Sequence, residues 1–218
     1  MAGTSSANNH DTTDNLKFEF IHFDEFKDFI PMTFYESLTF NEFKHAAHCM
    51  IYAMWSTKIL KKYNPRAAVL MILREDGHFG FPGGTVDDKE HVIVALNREL
   101  AEEIGLDANK HVIAEENHVI SQVNHQMKFV THFFALEVTF EEFRKIEKYC
   151  LNARDYGIEV LGILRASLYT MNNNYDGFPA FLRNNFVGNC KQQLCIGLLS
   201  RHILNLEEIE ASLLCNID

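Results

Sequence analysis

Hydrophobic and polar positions along the chain follow two periods, which predicts mixed α and β structure. Residues 67–73 (AAVLMIL) form an unbroken apolar run of strand length, the pattern of a strand buried on both faces. Residues 158–164 (IEVLGIL) read as a further strand, as do 111–126 and 127–139, the last (MKFVTHFFALEVT) being the stronger of the two. The segments 39–42 (TFNE) and 139–142 (TFEE) have the form of capping boxes. They predict helices running to about His48 and to about Tyr149. Residues 178–185 predict a short helix, 188–204 a longer one, and 207–214 a last turn or two. Lys17 to Phe20 alternates briefly, and Phe23, Phe26 and Phe29 recur every three residues. With no internal repeat and no interdomain linker, the expected fold is one α/β sandwich, helices on both sides of a mixed sheet.

One segment carries chemistry in its spacing. From Gly84 the chain runs five residues to Glu90, seven more, then Arg98-Glu99-Leu100-Ala101-Glu102-Glu103-Ile104-Gly105-Leu106. Asp87, Asp88 and Glu90 place acid ahead of a helix, as the helix dipole favours. At about 100° per residue, Glu99, Glu102 and Glu103 share one face. Ile93, Leu96, Leu100 and Ile104 form a neighbouring apolar stripe. Like charges three and four apart repel, so stability alone does not select such a ridge. A hard divalent ion, Mg²⁺ or Mn²⁺, resolves the conflict by accepting the carboxylate oxygens. Arg98 stands just off the acidic face, placed to hold one carboxylate, and Gly105 ends the helix where a positive φ is expected. The turn Gly80-Phe81-Pro82-Gly83-Gly84 lets the backbone come close to a metal or a phosphate. Every fixed position of the Nudix box, G-x5-E-x7-R-E-U-x-E-E-x-G-U with U aliphatic, is filled. Nine specified positions coincide by chance in about one chain in a million, which sets aside a merely solvated acidic helix. Resemblance to that family implies hydrolysis of a phosphoanhydride and an α/β/α sandwich.

Size and composition narrow the alternatives. The 218 residues fit one domain with a substantial core, preceded by a polar tail over 1–16 and a Phe-rich extension over 17–43, so that 44–218 forms the catalytic domain. No window approaches the apolar length a membrane span needs. Five cysteines without pattern, and no secretory leader, point to a reduced interior; Cys190 and Cys195 lack zinc spacing. The formal charge of −10 argues against a general RNA-coating protein, while leaving room for a local basic groove.

Outside the box the chain resembles one branch of the Nudix hydrolases, the enzymes that decap snoRNA and hydrolyse inosine diphosphates. The stretches that carry the resemblance include His45-Ala-Ala-His48, Leu73-Arg74, Gly80-Phe81-Pro82-Gly83-Gly84, Asp155-Tyr-Gly157-Ile-Glu159, Leu168-Tyr169-Thr170 and Asn185-Phe186-Val-Gly188, in order over roughly 40–205. It implies that Gly83 lends a carbonyl to the metal, that Glu99, Glu103 and Glu159 are carboxylate ligands, and that Glu102 helps bind metal or orients water. It further implies that His48 stacks on a purine, Phe81 walls the pocket, Arg74 faces phosphate and Gln193 meets the base edge. On the residues alone, His45 and His48 also fit a satisfied core pair or metal ligands on one helix face, Phe81 a core residue, and Gln193 a solvated position. Thr85 departs from the branch, which carries an aromatic residue there. The expected substrates are purine nucleoside diphosphates (IDP, dIDP) and methylguanosine-capped snoRNA or mRNA. The alternatives are a non-catalytic interaction module, known within this branch, and a hydrolase of NAD-capped RNA or ADP-ribose conjugates. A homodimer in the nucleus (nucleolus and nucleoplasm) and cytoplasm is also implied by the resemblance alone.

Overall fold

The most apolar stretches of the chain become the middle of a sheet. In the computed structural model, which describes residues 27–215, β2 (Lys44–Met54) and β3 (Ala67–Arg74) run side by side. Ala47, Cys49, Ile51 and Ala53 join one core cluster, and Met50 and Tyr52 the other. A strand covered on both sides needs apolar residues at nearly every position, which is what β2 offers.

The sheet has eight strands. Its path runs β1 (Ile30–Met32), β6 (His118–Asn124), β7 (Phe129–Glu137), β2, β3, β4 (Phe79–Gly80), with β5 (Gly83–Thr85) paired to β2 and β8 (Val160–Arg165) paired to β3. β2 and β7 are parallel over a register from Lys44↔Phe129 to Tyr52↔Glu137, and every other pairing between these strands is antiparallel. The sheet is therefore mixed, as the sequence predicts.

The helix expected over 39–48 is absent, and β2 occupies much of that span. Thr39 does not cap: its hydroxyl donates back to the Glu36 carbonyl at 2.7 Å. The working box lies six residues earlier, where Thr33 and Glu36 satisfy each other's amides and open the one-turn α1 (Phe34–Ser37). Two capping-box sequences stand close together, and pairing along the whole of β7 outweighs a second short helix. Residues 30–37 pack into the same body. β1 pairs with β6, and Phe34 is buried against His118, His132 and Phe134. The 1–16 tail and the phenylalanines before residue 27 lie outside the described residues.

Helices cover both faces. α2 (Val92–Ile104) and α3 (Phe140–Tyr149) bury Leu96, Leu100, Ile104, Phe143 and Ile146 against Ile51, Leu70 and Ile72. On the opposite face α4 (Phe178–Phe181), α5 (Cys190–Ser200) and α6 (Leu206–Leu214) bring Phe178, Leu194, Leu198 and Ile209 onto Met50, Val69, Met71 and Phe133. Each such buried side chain contributes roughly 1.5–3 kcal/mol. The expected α/β/α sandwich is thus the observed one. α2 begins only at Val92, capped by the His91 ring, so the acids ahead of it lie in the loop rather than in its first turn. It closes at Gly105, whose φ of +65° donates its amide back to Ala101 and Leu100. The Thr139–Glu142 box caps α3 as predicted. Among the described residues no helix is long and apolar enough to cross a membrane.

Candidate active site

The two central strands share only the register from Tyr52↔Val69 to Met54↔Ala67. Before Tyr52, β2 pairs with β5, while β3 beyond Val69 takes β8 and β4. At this split opens a cavity of about 480 Å³, bounded by the box helix on one side and by the start of α5 on the other.

Three acids reach it. Glu103, on the inner face of α2, is only 3% exposed, and its Oε2 accepts the Gly83 amide at 2.7 Å. Burial pushes its carboxyl up to about 8, helped by the neighbouring charges of Glu99 and Glu159 and opposed by the Gly83 amide and Arg74. Glu99 sits one turn back, half-buried and raised chiefly by burial, with the Arg98 guanidinium acting the other way. Glu159 lies at the mouth, just before β8. Its carbonyl accepts the Glu75 amide at 3.1 Å, which ties it beside Arg74 at the end of β3.

The glycines of the turn are there for space. A side chain on Gly84 would come within 2.7 Å of the Glu99 carboxylate, and one on Gly83 within 2.2 Å of the Ala47 carbonyl. Gly83 stands opposite His48 in the β5–β2 register, so the turn is pressed against the base of the cavity.

Arg98 organises the ridge from outside. It donates to Glu90 through Nε (3.2 Å) and Nη2 (2.9 Å), and through Nη1 to Glu99 (2.6 Å) and Glu102 (3.3 Å). Glu90 is therefore a clamp for Arg98, held below the usual carboxylate range by that hydrogen bond. Glu102 is not among the cavity residues. Its other oxygen takes a 2.7 Å bond from Arg154, which also grips Asp155 at the head of the turn that presents Glu159.

The purine-side residues converge in the same cavity. His48 is on β2, so it and His45 face opposite sides of the sheet, and the shared helical face expected for them does not exist. His45 stacks on His132 at 5.2 Å and bonds to it. The His48 ring opens to the cavity while its Nδ1 is enclosed without a hydrogen-bond partner. Burial, and then Arg74, bring it down to about 4, so it is neutral at physiological pH. Phe81 is both things considered for it: 2% exposed and tilted against Phe133 at 5.0 Å, it also walls the cavity. Gln193 is buried rather than solvated, and it faces the same space from the first turn of α5. Arg74 lies between the two sets, bonded to Asp76 (3.1 Å) and Glu75 (3.2 Å). Sequence reasoning missed Phe29, Thr131 and Asn189 in the lining. Asn189 donates to Gln122 (2.9 Å) and Thr131 (3.1 Å), a buried amide network across three elements that no local pattern signals.

Among the described residues no three potential ligands already converge at metal-binding distance. The donor set nevertheless suits a hard cation: three carboxylates, one of them deeply buried and charged only at a cost, beside a glycine turn. Of the three carboxylates only Glu99 has, among the described residues, a guanidinium bonded to it, that of Arg98.

The sequence profile of the Nudt16-like family, described as U8 snoRNA-decapping enzyme-like, matches residues 45–204. A U8 snoRNA-decapping enzyme of Homalodisca vitripennis is 52% identical over 137 residues, 63% of this chain and 73% of that protein. The Xenopus laevis U8 snoRNA-decapping enzyme is 41% identical over 177 residues, 80% of this chain and 84% of its own length. The human Tudor-interacting repair regulator protein is 34% identical over 170 residues, 78% of this chain and 79% of that one.

Proposed function

The chain belongs to the Nudt16-like family of Nudix proteins, and on that premise we propose that it hydrolyses phosphoanhydride bonds in purine nucleotides. The substrates are inosine and deoxyinosine diphosphates, which become monophosphates, and methylguanosine caps on RNA such as snoRNA and mRNA. One observation carries this: the acids Glu99, Glu103 and Glu159 share a single cavity with His48, Phe81 and Gln193, and Arg74 stands between the two groups.

A neutral imidazole and an apolar wall suit a purine face, and the Gln193 amide offers both a donor and an acceptor to its edge. Arg74, whose guanidinium is always charged, draws the diphosphate toward the carboxylates. Gly83 would lend its carbonyl, and Glu99, Glu103 and Glu159 their carboxylates, to Mg²⁺ or Mn²⁺. When bound, such an ion polarises phosphoryl oxygens and lowers the pKa of water. Glu102, with one oxygen on Arg98 and the other on Arg154, holds the ridge and the Glu159 turn in register.

The human Tudor-interacting relative makes a non-catalytic interaction module the second reading. The intact acids on this chain favour the enzyme. Purified protein with Mn²⁺, offered IDP, methylguanosine-capped RNA, NAD-capped RNA and ADP-ribose side by side, tests both. Release of IMP and of a methylated guanine nucleotide is expected; no turnover of any of the four overturns the catalytic reading. Homodimerisation and residence in nucleus and cytoplasm complete the proposal, both resting on the family.

A further inference from the structure

A second cavity, of about 820 Å³, contains none of the acids of the candidate active site. Lys62, Tyr63, Arg66, Tyr169 and Thr170 line it, together with Glu208, the one carboxylate in its wall. The segment that contributes Lys62 and Arg66 to it departs in charge from the chain as a whole. Overall the charge is −10, yet no aspartate or glutamate occurs between Glu42 and Glu75, while Lys44, Lys58, Lys61, Lys62, Arg66 and Arg74 all do.

Local geometry presents these cations outward. Ile59 and Tyr63 exchange backbone hydrogen bonds of 2.8 and 3.0 Å, closing a tight turn in which Leu60 (φ 50°) and Lys61 (φ 59°) are both left-handed. The turn is tied down at its base by these two bonds and by the packing of Tyr63 on Tyr169. Lys58, Lys61 and Lys62 are exposed and form no ion pair among the described residues. Arg66, by contrast, is committed to Glu208. Beside the lysines, Tyr63 stacks on Tyr169 at 5.8 Å and 19°, with the Lys62 ammonium 5.2 Å from the Tyr63 ring.

Gln193 in the first turn of α5 faces the candidate active site, and Leu204, just past the end of that helix, lines the second cavity. The eleven residues of α5 span about 16 Å. On the opposite route Arg74, the last residue of β3, stands about 25 Å from Arg66, just before its start.

We propose that the lysine turn at 58–62 and the Tyr63–Tyr169 pair form a contact surface for the single-stranded RNA that follows the cap. Unpaired cations beside stacked aromatic rings are the combination that binds single strands without reading sequence. The placement deepens the decapping reading and rests on it: a nucleoside diphosphate ends inside the first cavity, whereas an RNA chain continues past α5.

Fluorescence anisotropy of a labelled, uncapped, unstructured 20-mer RNA in EDTA tests the surface without involving catalysis. The wild-type chain should bind it, and the triple variant Lys58→Glu, Lys61→Glu, Lys62→Glu should bind at least 10-fold more weakly. Its salt dependence should fall by about 2 in log–log slope, since each phosphate contact on a single strand contributes about 0.7. Tyr63→Ala should weaken binding 5-fold or more with the slope retained. Equal affinity of wild type and triple variant would overturn the proposal, as would displacement of the RNA by polyglutamate at matched charge, which would mark an acidic protein surface instead. Turnover of IDP reports separately on the catalytic reading. It should be equal in wild type and triple variant, and its loss in both would sink the enzyme while leaving the RNA result standing.

Discussion

The Gly83 amide donates a 2.7 Å hydrogen bond to Glu103, which joins the glycine turn to the box helix across the floor of the cavity. That bond holds the buried acid in place and favours its ionised form, against the burial that opposes ionisation. Burial outweighs the single donor, so the carboxyl sits at about 8 instead of its ordinary 4.5. In the unfolded chain Glu103 ionises near 4.5, while in the metal-free fold it keeps its proton until about 8. Its contribution to stability is therefore greatest below about 4.5 and is lost as pH rises through 8. Thermal melts of metal-free protein should show this decline. Glu103→Gln should remove it and raise the melting temperature at pH 8, while lowering turnover by at least about 100-fold.

Three histidines act in the opposite sense. His48 and His118 lie at about 4, and His132 well below its ordinary value, in each case first because burial disfavours the charged ring. Their stabilising effect is complete above about 6.5 and is lost as pH falls toward 4. His132 bridges His45 (2.9 Å) and Ser121 (2.9 Å). The Glu103→Gln variant should thus show an acid limb alone, its melting temperature falling steadily between pH 6.5 and 4. A flat profile would remove the buried-neutral assignment.

His48→Ala should raise KM for IDP by about 10-fold, with a smaller change in kcat, because stacking on a base contributes roughly 1–3 kcal/mol. Between pH 8 and 5.5 the KM of the wild type should not report protonation of His48. A KM unchanged by the substitution would place the purine elsewhere.

Gly84→Ala sets a methyl group within 2.7 Å of the Glu99 carboxylate, in the short strand β5, at a position without a left-handed φ. Turnover should fall 10- to 100-fold with a melting temperature close to wild type. Gly83→Ala, aimed at a backbone carbonyl at 2.2 Å, should instead destabilise the fold. The contrast between the two is measured by pairing kinetics with thermal melts.

Arg98→Lys retains the charge but cannot hold Glu90, Glu99 and Glu102 at once with a planar fork. A 10- to 100-fold loss of activity is expected, and excess Mn²⁺ should recover part of it, since the ligands are still present but less well oriented.

Much of this was legible before any coordinates. The acid ridge, the Gly105 stop, the Arg98 clamp, the cap on α3 and the sandwich itself follow from local spacing. What failed was 39–48. A four-residue capping signal there was outweighed by β7, which lies more than eighty positions away and pairs with β2 along its length. Glu102 shares the helical face with Glu99 and Glu103, and the turn before β8 supplies Arg154 as a second partner for it, which no local spacing signals.

The chain's own order of residues determined that carboxylates would crowd one helical ridge beside a glycine turn, because helix geometry turns spacing into direction over a few residues. Which other groups face that ridge was decided only in three dimensions. His48, Phe81, Gln193 and Glu159 come from separate strands, turns and helices. They meet because β2 and β3 part company after a short shared register, a consequence of pairing partners contributed by the whole sheet.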